Sequence, residues 1–199
     1  GATAPGQVAM LAGMGITEET VGAPIKASME TVQVGTTPEG LPAYIDKMAS
    51  EADAIVLVNR IKPHVAFTGP YESGLMKMIT IGLGKQKGAD TCHDLGFEKM
   101  AENVPAIARV LLEKVNIVFG VAVLENACDE VRRIVALPSE EIPDEEPALL
   151  QEAKQYSPQL PFRELEVLVL DEIGKDISGT GMDTHVVGRY HSPCADDGR

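Results

Sequence analysis

Asp53-Ala54-Ile55-Val56-Leu57-Val58 is an apolar run opened by one carboxylate. It has no polar alternation, so it reads as a strand buried on both faces, the mark of a parallel strand between helical layers. Asn59-Arg60-Ile61-Lys62-Pro63-His64 follows directly and falls at that strand's C-terminal end. In open α/β sheets this is the edge where ligands bind. Upstream, residues 29–34 alternate as a second strand, and residues 35–42, with two Gly and two Pro, form a turn region. Residues 7–14 predict a short helix ended by Gly15, and Thr17 is placed to cap another.

Downstream, residues 74–81 read as a partly helical apolar segment closed by Gly82. Met100, Val104, Ile107 and Leu111 recur at helical spacing within residues 97–114, with Pro105 near a first turn. Residues 115–124 and 131–137 predict strands. Ser139 begins an acidic helix start that Pro143 interrupts, and the helix continues over residues 148–155. A linker with two prolines covers residues 157–161, residues 165–170 predict a last strand, and residues 171–189 read as glycine-rich loop. Strands alternating with helices predict an α/β layered domain, with a mixed or parallel sheet flanked by helices. Residues 1–160 are assigned to it, and residues 161–199 to a crossover and the start of a second domain. The lack of an initiating Met at Gly1 and the turn-like Asp196-Asp197-Gly198-Arg199 suggest a piece of a longer chain, lacking part of the first domain.

The 199 residues carry a net charge of −13, which disfavours binding to nucleic acid or to anionic membranes. Aromatic residues are scarce, so the core must be built from Val, Ile, Leu, Ala and Met. Cys92, Cys128 and Cys194 lie far apart without a CxxC pair, which argues against a structural zinc or iron–sulfur site and fits reduced thiols in a cytoplasm. No signal peptide or span of transmembrane length is seen. No feature specifies an oligomeric state.

In this acidic chain the bases gather in one segment, which points to a ligand. Pro63 restricts Lys62 to extended geometry and so presents His64 at a fixed angle. His64 is a candidate general acid/base, or equally a hydrogen-bonded histidine stabilising a turn. Lys77 sits in the apolar run Leu75-Met76-Lys77-Met78-Ile79. Desolvation there favours the neutral, nucleophilic amine, although a snorkelling lysine fits the same pattern. Gly82-Leu83-Gly84-Lys85 and Lys87-Gly88 form a basic glycine-rich turn that either holds a phosphate or is simply a surface turn. His93 can ligate a metal only if a cofactor provides the other donors.

Lys62-Pro63-His64, Ser73-Gly74-x-x-Lys77 and His93 together resemble the lactate racemase family, the nickel-pincer-nucleotide isomerases. The flanks Asn59-Arg60-Ile61 and Glu72-Ser73, and Ile177-Ser178-Gly179-Thr180-Gly181-Met182-Asp183, are similar to a large uncharacterised branch of that family. The resemblance implies two α/β domains with the cofactor between them. It implies that Lys77 carries the pyridinium-3,5-bisthiocarboxylic acid mononucleotide through a thioamide, and that His93 completes the square plane around nickel. In such racemases a hydride leaves the α-carbon of a 2-hydroxy acid, and a histidine, here His64, takes the hydroxyl proton. Contact of Gly82, Gly84 and Lys85 with the cofactor phosphate is our own addition to the resemblance.

The family's second histidine has no counterpart near Ala23-Pro24. His185 or His191 is left as a replacement, and lactate itself becomes one of several 2-hydroxy acids to consider, sugar acids included. Arg60 or Lys62 is available for a substrate carboxylate, or serves the fold. The segment alone is expected to be inactive. Two further readings stand beside the racemase or epimerase: a non-catalytic module that binds a nucleotide or organic acid, and a lyase using Lys77 as a Schiff base.

Overall fold

The computed structural model describes residues 3–162, 164–190 and 192–195. Two short helices, α1 (Ala4–Gly13) and α2 (Glu18–Val21), come first. The Thr17 hydroxyl accepts the Thr20 N–H at 3.3 Å, the capping expected of it. The hairpin of β1 (Thr31–Thr36) and β2 (Pro42–Asp46) leads into α3 (Lys47–Ser50). Then come β3 (Ile55–Arg60), α4 (Leu75–Lys77), a π-turn (Met78–Gly82), α5 (Lys85–His93) and α6 (Met100–Lys114). The chain continues through β4 (Ile117–Glu125), β5 (Val131–Pro138) and α7 (Ile142–Tyr156) to the short α8 (Thr184–Val187).

The fold is α/β with a mixed sheet. β3 pairs parallel with β4, and β4 antiparallel with β5. The helices between β3 and β4 supply the crossover that a parallel pair requires. Ile55, Leu57, Ala122, Leu124 and Leu137 point inward onto Leu75, Ile142 and Leu150 of the helices, forming one core. α6 contributes Met100, Val104, Ile107, Ala108 and Leu111, the expected helical stripe. Pro105 lies inside this helix, one turn beyond its start.

The structure departs from the sequence reading in several places. β3 is buried on one face only. Val58 is 63% exposed, and Val56 and Val58 stand beside Phe119 and Val121 on an apolar outer face that no helix covers among the described residues. Pro42 opens β2, which the proline-rich turn had concealed. α7 is continuous through Pro143, because the first turn of a helix has no use for that N–H. Glu141, not Ser139, occupies its N-cap position.

Residues 165–170 form no strand. Val167 and Val169 are 78% and 83% exposed, and an extended segment without an edge to pair with has no ladder to join. No described helix is long and apolar enough to cross a membrane. Beyond α7 the regular layers stop, but Thr184, His185 and Cys194 return to the loop that follows β3.

Candidate functional site

The site grows from the exit of β3. Lys62 and Ser73 exchange both backbone hydrogen bonds, at 2.8 and 3.2 Å, closing residues 62–73 into a loop at its base. The buried Glu72 carboxylate organises the interior. It accepts the His64 N–H at 2.8 Å and the Gly69 N–H at 3.3 Å, and it pairs with Lys154 of α7 at 2.6 Å. Phe67 fills the loop, with its ring centroid 4.4 Å from that of His64.

The return strand is held with equal care. The Asn59 amide donates to the Gly74 carbonyl at 2.8 Å, and the Glu146 carboxylate of α7 accepts the Met76 N–H at 2.9 Å. Between these contacts the chain turns into α4, and Lys77 is its last residue. The Lys77 ammonium lies 5.8 Å from the Phe67 ring centroid, so Lys77 and His64 both neighbour that ring.

The glycines then bring His93 into the same neighbourhood. The Leu83 N–H reaches back five residues to the Met78 carbonyl at 2.8 Å, and Lys85 takes a left-handed φ of 54°. A Cβ on Gly88 would stand 2.6 Å from the Thr80 carbonyl oxygen. A straight helix would separate residues 80 and 88 by about 12 Å. The chain has therefore folded back on itself, and glycine is what lets the two helical pieces touch.

Cys92, fully buried in α5, lies near enough to Lys77 for the amine and thiol to perturb each other, and His93 follows it with an exposed ring 6.1 Å from Phe97. The segment 82–88 is thus helix and helix junction, not the expected loop. Gly82 abuts the Met78 side chain. The Lys85 ammonium is shared between Asp46 and Gln7, at 3.5 Å each. Gly82 and Lys85 line a separate open cleft of about 520 Å³ against α1, with Gln7, Met10 and Met29 among its walls, and His64, Lys77 and His93 are not among its lining.

The electrostatics follow from crowding of cations and burial. Burial, then the Lys62 charge, lowers the Lys77 amine to about 8. Burial, then Lys77, His93, Lys62 and His185 in that order, lowers His64 to about 3. Lys77 and His93 are thus each near enough to His64 to act on its charge. Burial also raises the Glu146 carboxyl to about 7, against the pull of the Met76 and Leu75 N–H groups. The His64 Nδ1 accepts the Ala66 N–H at 3.1 Å, which leaves the proton of the neutral ring on Nε2.

Lys77→Met is expected to raise the His64 pKa from about 3 while leaving it below 6.5, because burial is the larger cause. An NMR titration of the imidazole checks this. Because the folded value lies below the unfolded one, His64 contributes stability that is present above about pH 6.5 and lost as pH falls toward about 3.

Sequence reasoning missed the return of Thr184, His185 and Cys194 to this loop. The His185 Nε2 sits 3.1 Å from the His64 carbonyl, and since a carbonyl only accepts, Nε2 donates. Thr184 donates to the Val65 carbonyl at 3.2 Å, and the Thr68 N–H to that of Cys194 at 2.7 Å. The usable signal was Asp183-Thr184-His185-Val186-Val187-Gly188, a capping aspartate and a terminal glycine bracketing one turn. His185 thus buttresses the His64 backbone. His191 lies outside the described residues.

Residues 9–104 match the family described as the lactate racemase N-terminal domain. No curated protein matches the chain. Among solved structures, the chain is similar to the lactate racemase apoprotein from Thermoanaerobacterium thermosaccharolyticum, with a TM-score of 0.52 and 20% identity. That likeness covers 67% of this chain and 35% of the other, so the chain spans about a third of that protein's length, and it shows a shared fold.

Proposed function

We propose that this chain, whose residues 9–104 match the lactate racemase N-terminal domain, is the cofactor-bearing part of a racemase or epimerase of small 2-hydroxy acids. The observation that carries the reading is the placement of Lys77, which sits beside Phe67 with its amine lowered to about 8, while His64 packs on the same ring. An amine so poised is nucleophilic near neutral pH. Its conversion to a neutral thioamide removes a charge that its surroundings disfavour.

The residues also fit the nickel-pincer nucleotide of the family. His93 offers an exposed imidazole from the helix folded back against the lysine-bearing one. No cluster of three His, Cys, Asp or Glu side chains suited to a metal occurs among the described residues. That suits a nickel ion whose remaining donors come from the nucleotide. Lys77 would hold the group and His93 the metal; when bound, the nucleotide supplies a hydride acceptor for the substrate's α-carbon.

The other steps belong to this chain's own side chains. With its proton on Nε2, His64 donates a hydrogen bond to a substrate oxygen. To take the hydroxyl proton it must bare Nε2, which means moving the ring proton to Nδ1 and releasing the buried Ala66 N–H, at a cost of about 1–3 kcal/mol for a buried donor left without a partner. Loss of the Lys77 charge on acylation makes the ring more basic, so the empty chain and the loaded one differ in their proton chemistry. Arg60 is paired with Glu125 at 2.8 Å. Lys62, exposed and close enough to perturb both His64 and Lys77, is the better placed of the two for a substrate carboxylate.

Intact-mass analysis of protein produced together with the enzymes that build the cofactor tests the reading. A covalent adduct mapped to Lys77 and lost in Lys77→Ala is expected. An unmodified Lys77, under conditions that load a lactate racemase control, would overturn it.

A further inference from the structure

Glu146 projects from α7 into the core, seventy residues from the helix it touches. It is 1% exposed and has no ion-pair partner among the described residues. A buried carboxylate without a counter-charge is costly unless hydrogen bonds hold it. Here the donor is the Met76 N–H at 2.9 Å, and the Leu75 N–H lies close enough to favour the charged form as well. These are the first amides of α4, and its own N-cap, Gly74, has no side chain with which to cap them. Gly74 is also the residue that makes room, since a Cβ there would lie 2.2 Å from the Glu146 Oε1. Asn59 grips the Gly74 carbonyl from the other side.

We propose that Glu146 is the positioning residue for Lys77: a cap borrowed from α7 that fixes the first turn of α4 and so keeps the amine beside Phe67 instead of in water. The significance of that position rests on the reading of Lys77 as the cofactor's attachment point. The inference about Glu146 can be tested without it.

The test acylates the apo protein with a water-soluble succinimidyl ester from neutral to alkaline pH and follows Lys77 by peptide mass mapping. The wild-type profile should have its midpoint near 8. Glu146→Asp keeps the charge but withdraws the oxygens by one methylene. It is expected to move the midpoint toward the ordinary lysine value of 10.5 and slow acylation at about pH 8 by at least about fivefold. Glu146→Gln keeps an oxygen at the original reach and should hold the midpoint near that of the wild type.

An Asp variant indistinguishable from wild type, or a Gln variant shifted as far as Asp, overturns the proposal. If the variants fail to fold, amide hydrogen exchange at Met76 in the wild-type chain decides. Exchange as slow as that of the core strands supports the cap, and exchange as fast as that of an exposed loop overturns it. Chemical acylation needs no nickel nucleotide, so a missing cofactor adduct and a missing role for Glu146 would be separate results.

Discussion

Lys154→Met should destabilise the protein by about 3–5 kcal/mol, the range seen when one partner of a buried ion pair is removed. Glu72 has a side chain 0% exposed, and Lys154 is its cation at 2.6 Å. Without the ammonium, the carboxylate keeps the His64 and Gly69 N–H groups but loses its one close counter-charge among the described residues, with only the Lys77 charge left to act on it from farther away. Chemical denaturation at neutral pH measures the loss. Adding Glu72→Gln to Lys154→Met should recover part of it, since the double variant buries no unpaired charge. The loop that carries His64 depends on Glu72, so the single variant should also speed amide exchange at His64. A stability within about 1 kcal/mol of wild type would mean that water or another group already serves Glu72.

The second large effect is expected at Gly88. By helix propensity alone, Gly88→Ala inside α5 should stabilise the protein by about 1 kcal/mol. We expect the opposite sign, a loss of about 1–3 kcal/mol, because the new methyl would stand 2.6 Å from the Thr80 carbonyl and a backbone atom cannot step aside as a side chain does. Gly84→Ala meets the same oxygen at 2.2 Å and should behave alike. Gly82→Ala is the control, because its obstacle is the flexible Met78 side chain, which can move, and the cost should be smaller. Thermal denaturation of the three variants gives the order. If Gly88→Ala melts at or above the wild-type temperature, α5 does not rest on the Thr80 carbonyl and the position of His93 is fixed by other contacts.

Local pattern was a good guide where one segment's chemistry was sufficient. The apolar run at 55–58 gave a strand with His64 just beyond its end, and the stripe from Met100 to Leu111 gave α6. Thr17 and Gly15 marked the joint between the first two helices. Pattern misled where a partner had to be known. Residues 165–170 have the apolar, Val- and Leu-rich composition of a strand, yet lie exposed and pair with no strand among the described residues. Residues 82–88 have the composition of a loop, yet they make a helix junction, because their glycines serve contact with Thr80 and not turning alone.

The site divides along the same line. Lys77 and His64 could be picked out as candidates from their neighbours in the chain, an amine among apolar side chains and an imidazole behind a proline, although each pattern equally described a structural residue. Glu72, Lys154, Glu146 and His185 could not, because each acts on a group whose identity only folding reveals. Short-range sterics and hydrophobic periodicity are written into consecutive residues and survive in any context. Which buried charge meets which counter-charge, and which carboxylate caps which helix, is settled only when distant segments are packed together and water is excluded from between them.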